Sequence, residues 1–293
     1  MTELKSVLVV GAGTMGSQIA LQTAMSGRYE VTLVDSIEGQ LERANSQNKR
    51  LLDRSVEKGR ITQEAATEAL ARISARDDLA AAAGDAELVI EAVIEDFDAK
   101  KGVFSILGEH ARKDAILASN SSTIAISRLA GFTGRPEQCC NMHFFHPVTV
   151  MQLCEVVRGP KTSDATIETA MEFVRSIDRT PVLLQKEIWG FIVNRILFAA
   201  SEEAMQLLEG GYASAEDIDI AVQKGLNWPM GPFHLLDFSG LDIFYGAMKD
   251  RHRQGEGADA PELLKKLVDK GNLGRKSGKG FFEYPGPGVS GNQ

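Results

Sequence analysis

Cysteine is scarce in this chain, with three thiols among 293 residues. Cys139, Cys140 and Cys154 have neither C-x-x-C spacing nor an even number, which excludes a disulfide framework and favours reduced core thiols over a metal site. Long apolar runs are missing as well. No stretch approaches the roughly 18 residues needed to cross a bilayer, and a strand pattern begins at Ser6 without a basic leader. A cytoplasmic protein with no membrane partner is expected. Basic charge is not in excess either: 32 Lys and Arg stand against 40 Asp and Glu, a net charge of -8. Such a surface repels a phosphate backbone, so no nucleic-acid partner is expected. Heptads and long repeats are absent, and the 28 Gly and 9 Pro are dispersed, which excludes collagen-like, coiled-coil and disordered classes. What remains is an ordinary globular composition, 43% hydrophobic with mean hydropathy -0.12. At about 150 residues per domain, the length suggests two domains.

Short apolar runs alternate with longer helical stretches through the first half. Candidate strands are Ser6 to Val10, Glu30 to Val34, Glu87 to Ala92, Ala115 to Ala118, Cys140 to Phe144, Leu153 to Val157 and Pro181 to Leu184. Parallel strands joined by crossover helices produce this pattern, so the fold class expected is α/β, a Rossmann-like, doubly wound and mostly parallel sheet. A charged segment at about 38–72 is long enough for a helical-hairpin insertion, broken at Lys58-Gly59-Arg60 and restarted at Thr62. It is either a solvated insertion or a basic patch for an anionic ligand, formed by Lys49, Arg50, Arg54, Lys58 and Arg60. From Gly190 onward strand patterns vanish. Ile192, Ile196, Ala204, Leu207 and Leu208 fall at helical spacing, and with Phe191, Val193, Leu197 and Phe198 they predict a helix apolar nearly all round and therefore central. Gly210 and Gly211 should stop it, Ser214 with Asp217 should open the next helix, and Pro229 to Pro232 should precede a helical segment over Phe233 to Met248. The domain reading is 1–187 for the sheet, 188–285 for an all-α C-terminal domain and 286–293 for a disordered tail.

Immediately after the first strand stands Gly11-Ala12-Gly13-Thr14-Met15-Gly16. In a strand-to-helix turn this G-x-G-x-x-G spacing permits a tight turn, close approach of a pyrophosphate and close helix packing. Asp35 ends the second strand nineteen positions after Gly16, near the ~20-residue offset at which a carboxylate accepts ribose hydroxyls. Its charge would repel a 2'-phosphate, so NAD is favoured over NADP. FAD shares the glycine fingerprint, and residues farther along must decide.

An alcohol oxidation coupled to a nicotinamide needs a base, and histidine, with an unperturbed pKa of about 6.5, suits both directions. Of the five histidines, His110 and His252 sit among charged neighbours and read as surface residues. His143 and His146 lie where an apolar strand gives way to a turn. The next strand, Met151 to Val157, carries Glu155 inside an apolar run, an expensive location unless the carboxylate has a partner. If the two strands are neighbours, His143 can donate one ring N–H to Glu155 while its other nitrogen serves a substrate. A purely structural buried pair is the alternative.

Taken together, the glycine loop, Ser119-Asn120-Ser121-Ser122, Met142-His143-Phe144-Phe145 and Glu155 resemble the 3-hydroxyacyl-CoA dehydrogenase family, which includes 3-hydroxybutyryl-CoA dehydrogenases. Gly190 to Arg195, Pro229-Met230-Gly231-Pro232 and Gly274 to Phe282 extend the resemblance over nearly the whole chain. It implies reversible, NAD-dependent oxidation of an L-3-hydroxyacyl-CoA, a short-chain one favoured, to the 3-oxoacyl-CoA. His143 would be the general acid/base, Glu155 its orienting partner, and Ser122 and Asn194 would bind the substrate oxygen. The bland alternatives are a helix N-cap for Ser122 and a satisfied buried amide for Asn194. By resemblance Glu95, Lys100 and Asn120 would contact the cofactor, Lys58 would lie near the CoA moiety, and the protein would be a homodimer through its helical domain, serving fatty-acid metabolism such as β-oxidation.

Three departures stand out. His146 occupies the family's usual Asn position, Trp189 its usual Pro, and Ser121 and Thr123 exchange its Thr and Ser types around Ser122. The alternatives to an acyl-CoA enzyme are an NAD-dependent dehydrogenase of a free hydroxy acid, similar to gulonate dehydrogenase and lambda-crystallin, and a non-catalytic NAD-binding structural protein.

Overall fold

The computed structural model describes residues 4–284; the tail expected over 286–293 lies outside them. The chain divides into two compact units, Met1–Phe191 and Ile192–Gln293.

In the first unit the order is β1 (Ser6–Val10), α1 (Thr14–Met25), β2 (Glu30–Val34), α2 (Gln40–Glu57), α3 (Gln63–Ala71), β3 (Ile73–Arg76), α4 (Leu79–Ala83) and β4 (Leu88–Glu91). It continues with α5 (Phe97–His110), β5 (Ile116–Ser119), α6 (Ser127–Ala130), β6 (Cys139–Phe144), β7 (Leu153–Arg158), α7 (Asp164–Ser176) and β8 (Thr180–Leu184). The strands form one sheet in the order β3-β2-β1-β4-β5-β6-β7-β8. Every pairing is parallel except β6 with β7. Both faces are covered, which is why the central strands read as continuous apolar runs. Val7 and Val9 share a core with α1 and with Phe173 of α7, while Leu8 and Val10 pack toward Phe104 and Leu107 of α5. Strand order reverses between β1 and β4, so the crevice at their carboxyl ends is the topological switch point where doubly wound sheets take ligands.

The hairpin insertion is present. Thr62 caps α3 by accepting from the Ala65 N–H, Gly59 breaks the chain at φ 65°, and Leu52 and Ala66 close a small core on Leu21 of α1. Among the described residues eight strands form where seven were expected. The additional one, β3, has a single neighbour, and its Ser74, Ala75 and Arg76 are exposed, so no buried face left an apolar pattern to read.

The second unit contains α8 (Val193–Glu209), α9 (Ala215–Leu226), α10 (Pro232–Ser239), α11 (Leu241–Arg253) and α12 (Glu262–Asp269). Ser214 caps α9 as expected, accepting from the Asp217 N–H. Two expectations fail here. The segment Phe233 to Met248 is divided at Gly240, whose φ of 100° no L-residue adopts comfortably. Nor is α8 buried all round: Phe198, Ser201, Ala204 and Met205 are enclosed, whereas Ile196 is exposed. Glu202, Glu203 and Gln206 make the later turns amphipathic, and the stripe opposite them is the side that packs.

Candidate active site

At the carboxyl end of β1 the three glycines do different work. Gly11 has φ 101°, and a Cβ there would lie 2.7 Å from the Ala92 carbonyl oxygen. A Cβ on Gly16 would collide with the Gly11 carbonyl oxygen, so this glycine sets how closely α1 docks on the turn. Gly13 faces open space, with nothing within 4 Å of a built Cβ, and it starts α1 with no side-chain cap. The first-turn N–H groups therefore point into a space a phosphate can enter. Ala12 is buried, Met15 half-buried against the core and Thr14 exposed. Asp35 is held rigidly, one oxygen accepting from the Ala12 N–H at 2.7 Å and the other from the Ile37 N–H at 2.8 Å. A cleft of about 1070 Å³ opens here, lined among others by Gly11, Gly13, Asp35, Ile94 and Ile106. Glycine cradle, fixed carboxylate and apolar walls fit a dinucleotide.

Farther along the sheet, β6 and β7 pair antiparallel with His143 directly opposite Glu155. The His143 Nδ1 and the Glu155 Oε2 are 2.8 Å apart, and both residues are buried. An ionised carboxylate only accepts, so opposite one a neutral ring carries its hydrogen on Nδ1 and keeps a lone pair on Nε2. The imidazole is flanked by Phe145 at 4.4 Å and Phe191 at 5.6 Å between ring centres. Phe191 follows Gly190 in left-handed backbone, at φ 52° and 71° respectively, and packs with Val157 and Leu184. His146 lies exposed on the loop after β6 and makes no hydrogen bond among the described residues. That loop is anchored instead by Val148, whose N–H donates to Gln18 and whose carbonyl accepts from Arg179. Trp189 is buried.

The turns after β4 and β5 are tied together by charge. Glu95 accepts from the Ser121 hydroxyl and from the Thr123 N–H and hydroxyl, and lies 3.3 Å from the Lys100 ammonium. Burial pushes its carboxyl up, but Lys100 and these hydrogen bonds outweigh that and hold it below the ordinary value of 4.5. No helix starts at Ser122, since α6 begins at Ser127 without a side-chain cap; the Ser121 Oγ instead closes the turn by accepting from the Ile124 N–H at 2.7 Å. Ser122 is half-buried with no hydrogen-bond partner for its hydroxyl among the described residues. Asn120 joins this turn to β6 by accepting from the Phe144 N–H at 2.9 Å. Glu91 and Asn141 escaped the sequence reading, which gave Ser119 no role of its own. Asn141 is buried, accepting from Ile126 and donating to Ser119 and Ile124 carbonyls. Glu91 ends an apolar strand on a charge, the same signal that singled out Glu155.

Lys58 caps the end of α2 and is exposed. It and Lys49, Arg50, Arg54 and Arg60 form no ion pair among the described residues, so their charge is available to an anion. Asn194, the second residue of α8, is half-buried with no side-chain hydrogen bond among the described residues, unlike a satisfied core amide. In the same unit buried Asp219 accepts from the Phe233 and His234 N–H groups and contacts the His234 Nδ1 at 2.6 Å. Buried Asp237 accepts from the Phe281 and Phe282 N–H groups and the Tyr284 hydroxyl. The glycine-rich block from Gly274 to Phe282 is thereby pinned to α10.

No helix among the described residues is long and apolar enough to cross a membrane. The sequence matches the family profile described as 3-hydroxyacyl-CoA dehydrogenase, NAD binding domain, over residues 6–188. The corresponding C-terminal domain profile matches residues 190–284. A probable 3-hydroxybutyryl-CoA dehydrogenase of Deinococcus radiodurans is 42% identical over 94% of this chain and 99% of its own length. Among solved structures, the (S)-3-hydroxybutyryl-CoA dehydrogenase of Ralstonia eutropha superposes with a TM-score of 0.91 at 35% identity, covering 97% of this chain and 100% of that one. A diketoreductase described as acting on dicarbonyl compounds superposes with a TM-score of 0.86 at 36% identity, over 97% and 100% of the two chains.

Proposed function

This chain belongs to the 3-hydroxyacyl-CoA dehydrogenase family, and from that premise we propose that it oxidises a short-chain L-3-hydroxyacyl-CoA, such as 3-hydroxybutyryl-CoA, reversibly with His143 as acid/base. It is an NAD-dependent oxidoreductase acting on CH–OH. The observation that carries the proposed chemistry is the 2.8 Å contact between His143 and buried Glu155. Glu155 fixes the ring with its hydrogen on Nδ1, so Nε2 takes the proton from the substrate hydroxyl, and the carboxylate then opposes the imidazolium charge. In the reverse direction Nε2 returns that proton. NAD, when bound, supplies the acceptor for the hydride leaving the substrate carbon.

The hydroxyl of Ser122, without an internal partner among the described residues, donates to the substrate oxygen and sets its orientation, and the amide of Asn194, likewise without one, is a further substrate-binding group. Gly11 to Gly16 hold the pyrophosphate, Asp35 accepts from the ribose hydroxyls, and Asn120 and Glu95, with Lys100 behind it, shape the nicotinamide end. Lys58, in no ion pair among the described residues, meets a CoA phosphate. We assign the NAD-binding domain to 1–187 and the substrate and dimerisation domain to 188–285. Exposed Ile196, Ile220, Phe238 and Ile243 in the helical unit support a homodimer, which sedimentation would check. Three free, buried cysteines suit a reducing cytoplasm, where the reaction would serve fatty-acid oxidation.

The decisive experiment follows NADH consumption across a chain-length series of 3-oxoacyl-CoA substrates, with free dicarbonyl compounds and free hydroxy acids alongside. Turnover greatest on acetoacetyl-CoA is expected. Turnover confined to the free compounds would replace this reading with a dehydrogenase that does not use CoA esters.

A further inference from the structure

Glu91 closes β4 and takes no part in the proton transfer, yet it is as fully enclosed as Glu155. It is 0% exposed and its ion-pair partner Lys100 only 1%. Its Oε1 lies 2.7 Å from the Lys100 ammonium and also accepts from the Val93 N–H, while its Oε2 accepts from the Ser119 hydroxyl at 2.6 Å. Its carbonyl accepts the Asn120 N–H. Two desolvated charges are an expensive filling for a space that apolar side chains of the same volume can occupy as stably. What the pair does, and apolar filling would not, is hold an ammonium against Glu95.

From there the connections run outward in a short chain. Lys100 faces Glu95, Glu95 accepts from Ser121 and Thr123, and Ser122 lies between those two residues. Ser119, on the other Glu91 oxygen, also accepts from the Ser121 N–H at 3.2 Å. Asn120, in the same turn, holds the backbone of Phe144 beside His143.

We propose that Glu91 is a positioning residue for the reaction: by fixing Lys100 and Ser119 it sets Glu95 and the turn of residues 119–123 that presents Ser122. The inference rests on the dehydrogenase reading above.

The test uses the full chain with Glu91→Gln and Lys100→Met combined, which removes both charges while keeping their approximate shapes. Melting temperature and turnover of NADH with acetoacetyl-CoA are measured beside the wild type. A merely structural pair predicts that the double variant keeps both stability and rate. The positioning role predicts a melting temperature within a few degrees of wild type and kcat lower by about tenfold or more, as expected when a substrate-orienting group is displaced. A double variant turning over within about twofold of wild type overturns the proposal. If that variant does not fold, Ser119→Ala removes one donor from Glu91 and leaves the ion pair. It should lower kcat about threefold, but not further in a Ser122→Ala background; wild-type kcat in Ser119→Ala overturns the proposal. A wild type that does not reduce acetoacetyl-CoA defeats the dehydrogenase reading itself, and this inference with it.

Discussion

Two histidines in this molecule hold carboxylates at hydrogen-bond distance, His143 on Glu155 at 2.8 Å in the sheet unit and His234 on Asp219 at 2.6 Å in the helical unit. Distance does not separate them. Asp219 spends its acceptor capacity on two backbone N–H groups at the start of α10, so it is a helix cap to which a histidine has been added. The His234 ring stacks on Phe282 at 3.9 Å with its side chain 42% exposed. Glu155 comes from a neighbouring strand and lies directly across from a buried imidazole. What distinguishes the candidate acid/base pair is therefore the enclosure of its ring: the His143 imidazole is buried, whereas that of His234 is partly exposed.

The sharpest way to break this comparison is His143→Ala, for which kcat should fall by about 10³-fold with NADH affinity largely retained; steady-state kinetics and an NADH titration would show it. Glu155→Gln should cost less, on the order of 10²-fold, because Nε2 survives while its orienting charge is gone. An unchanged pH–rate profile in that variant would count against the pair. Asp219→Ala should do the opposite, lowering stability by about 1–2 kcal/mol through loss of the cap while the folded enzyme keeps its rate. Thermal melts with parallel assays separate the two.

Glu95 offers an acid-side test. Its carboxyl is held below 4.5 in the folded chain, so the stability it contributes is complete above that ordinary value and is lost as pH falls through the lower folded one. Glu95→Gln should flatten that part of the melting-temperature profile, by a small amount because the side chain is partly exposed. Smallest of all, His234→Phe keeps an aromatic ring on Phe282 and should leave turnover within about twofold of wild type.

The parts of the site legible from sequence are those whose signal is local or whose cost is conspicuous. Gly11, Gly13, Gly16 and Asp35 follow one β-α-β unit at fixed spacing, and the spacing carries the geometry. Glu155 was legible because an acid inside an apolar strand demands a partner, and a single antiparallel return puts His143 opposite. The same reasoning reached neither Glu91, whose partner Lys100 arrives from a helix after an intervening turn, nor Asp219, whose histidine belongs to a different helix. Strand β3 left no trace because an edge strand with exposed side chains has no apolar periodicity. α8 misled for the reverse reason: its apolar residues were counted all round, whereas its neighbours bury only one stripe.

Phe191 shows why heat tolerance is better sought elsewhere in this protein. A bulky residue in left-handed backbone, here at φ 52°, carries a penalty of about 1–2 kcal/mol, and glycine would remove it. Glycine would also empty the space against Val157 and Leu184, a loss of about 3–5 kcal/mol for a buried phenyl ring, and strip one wall from the imidazole. A β-branched substitute fails on both counts, with a tighter backbone clash and a smaller volume. The position is thus locked between two opposing demands, and an engineer scanning for relaxed dihedrals should pass over it.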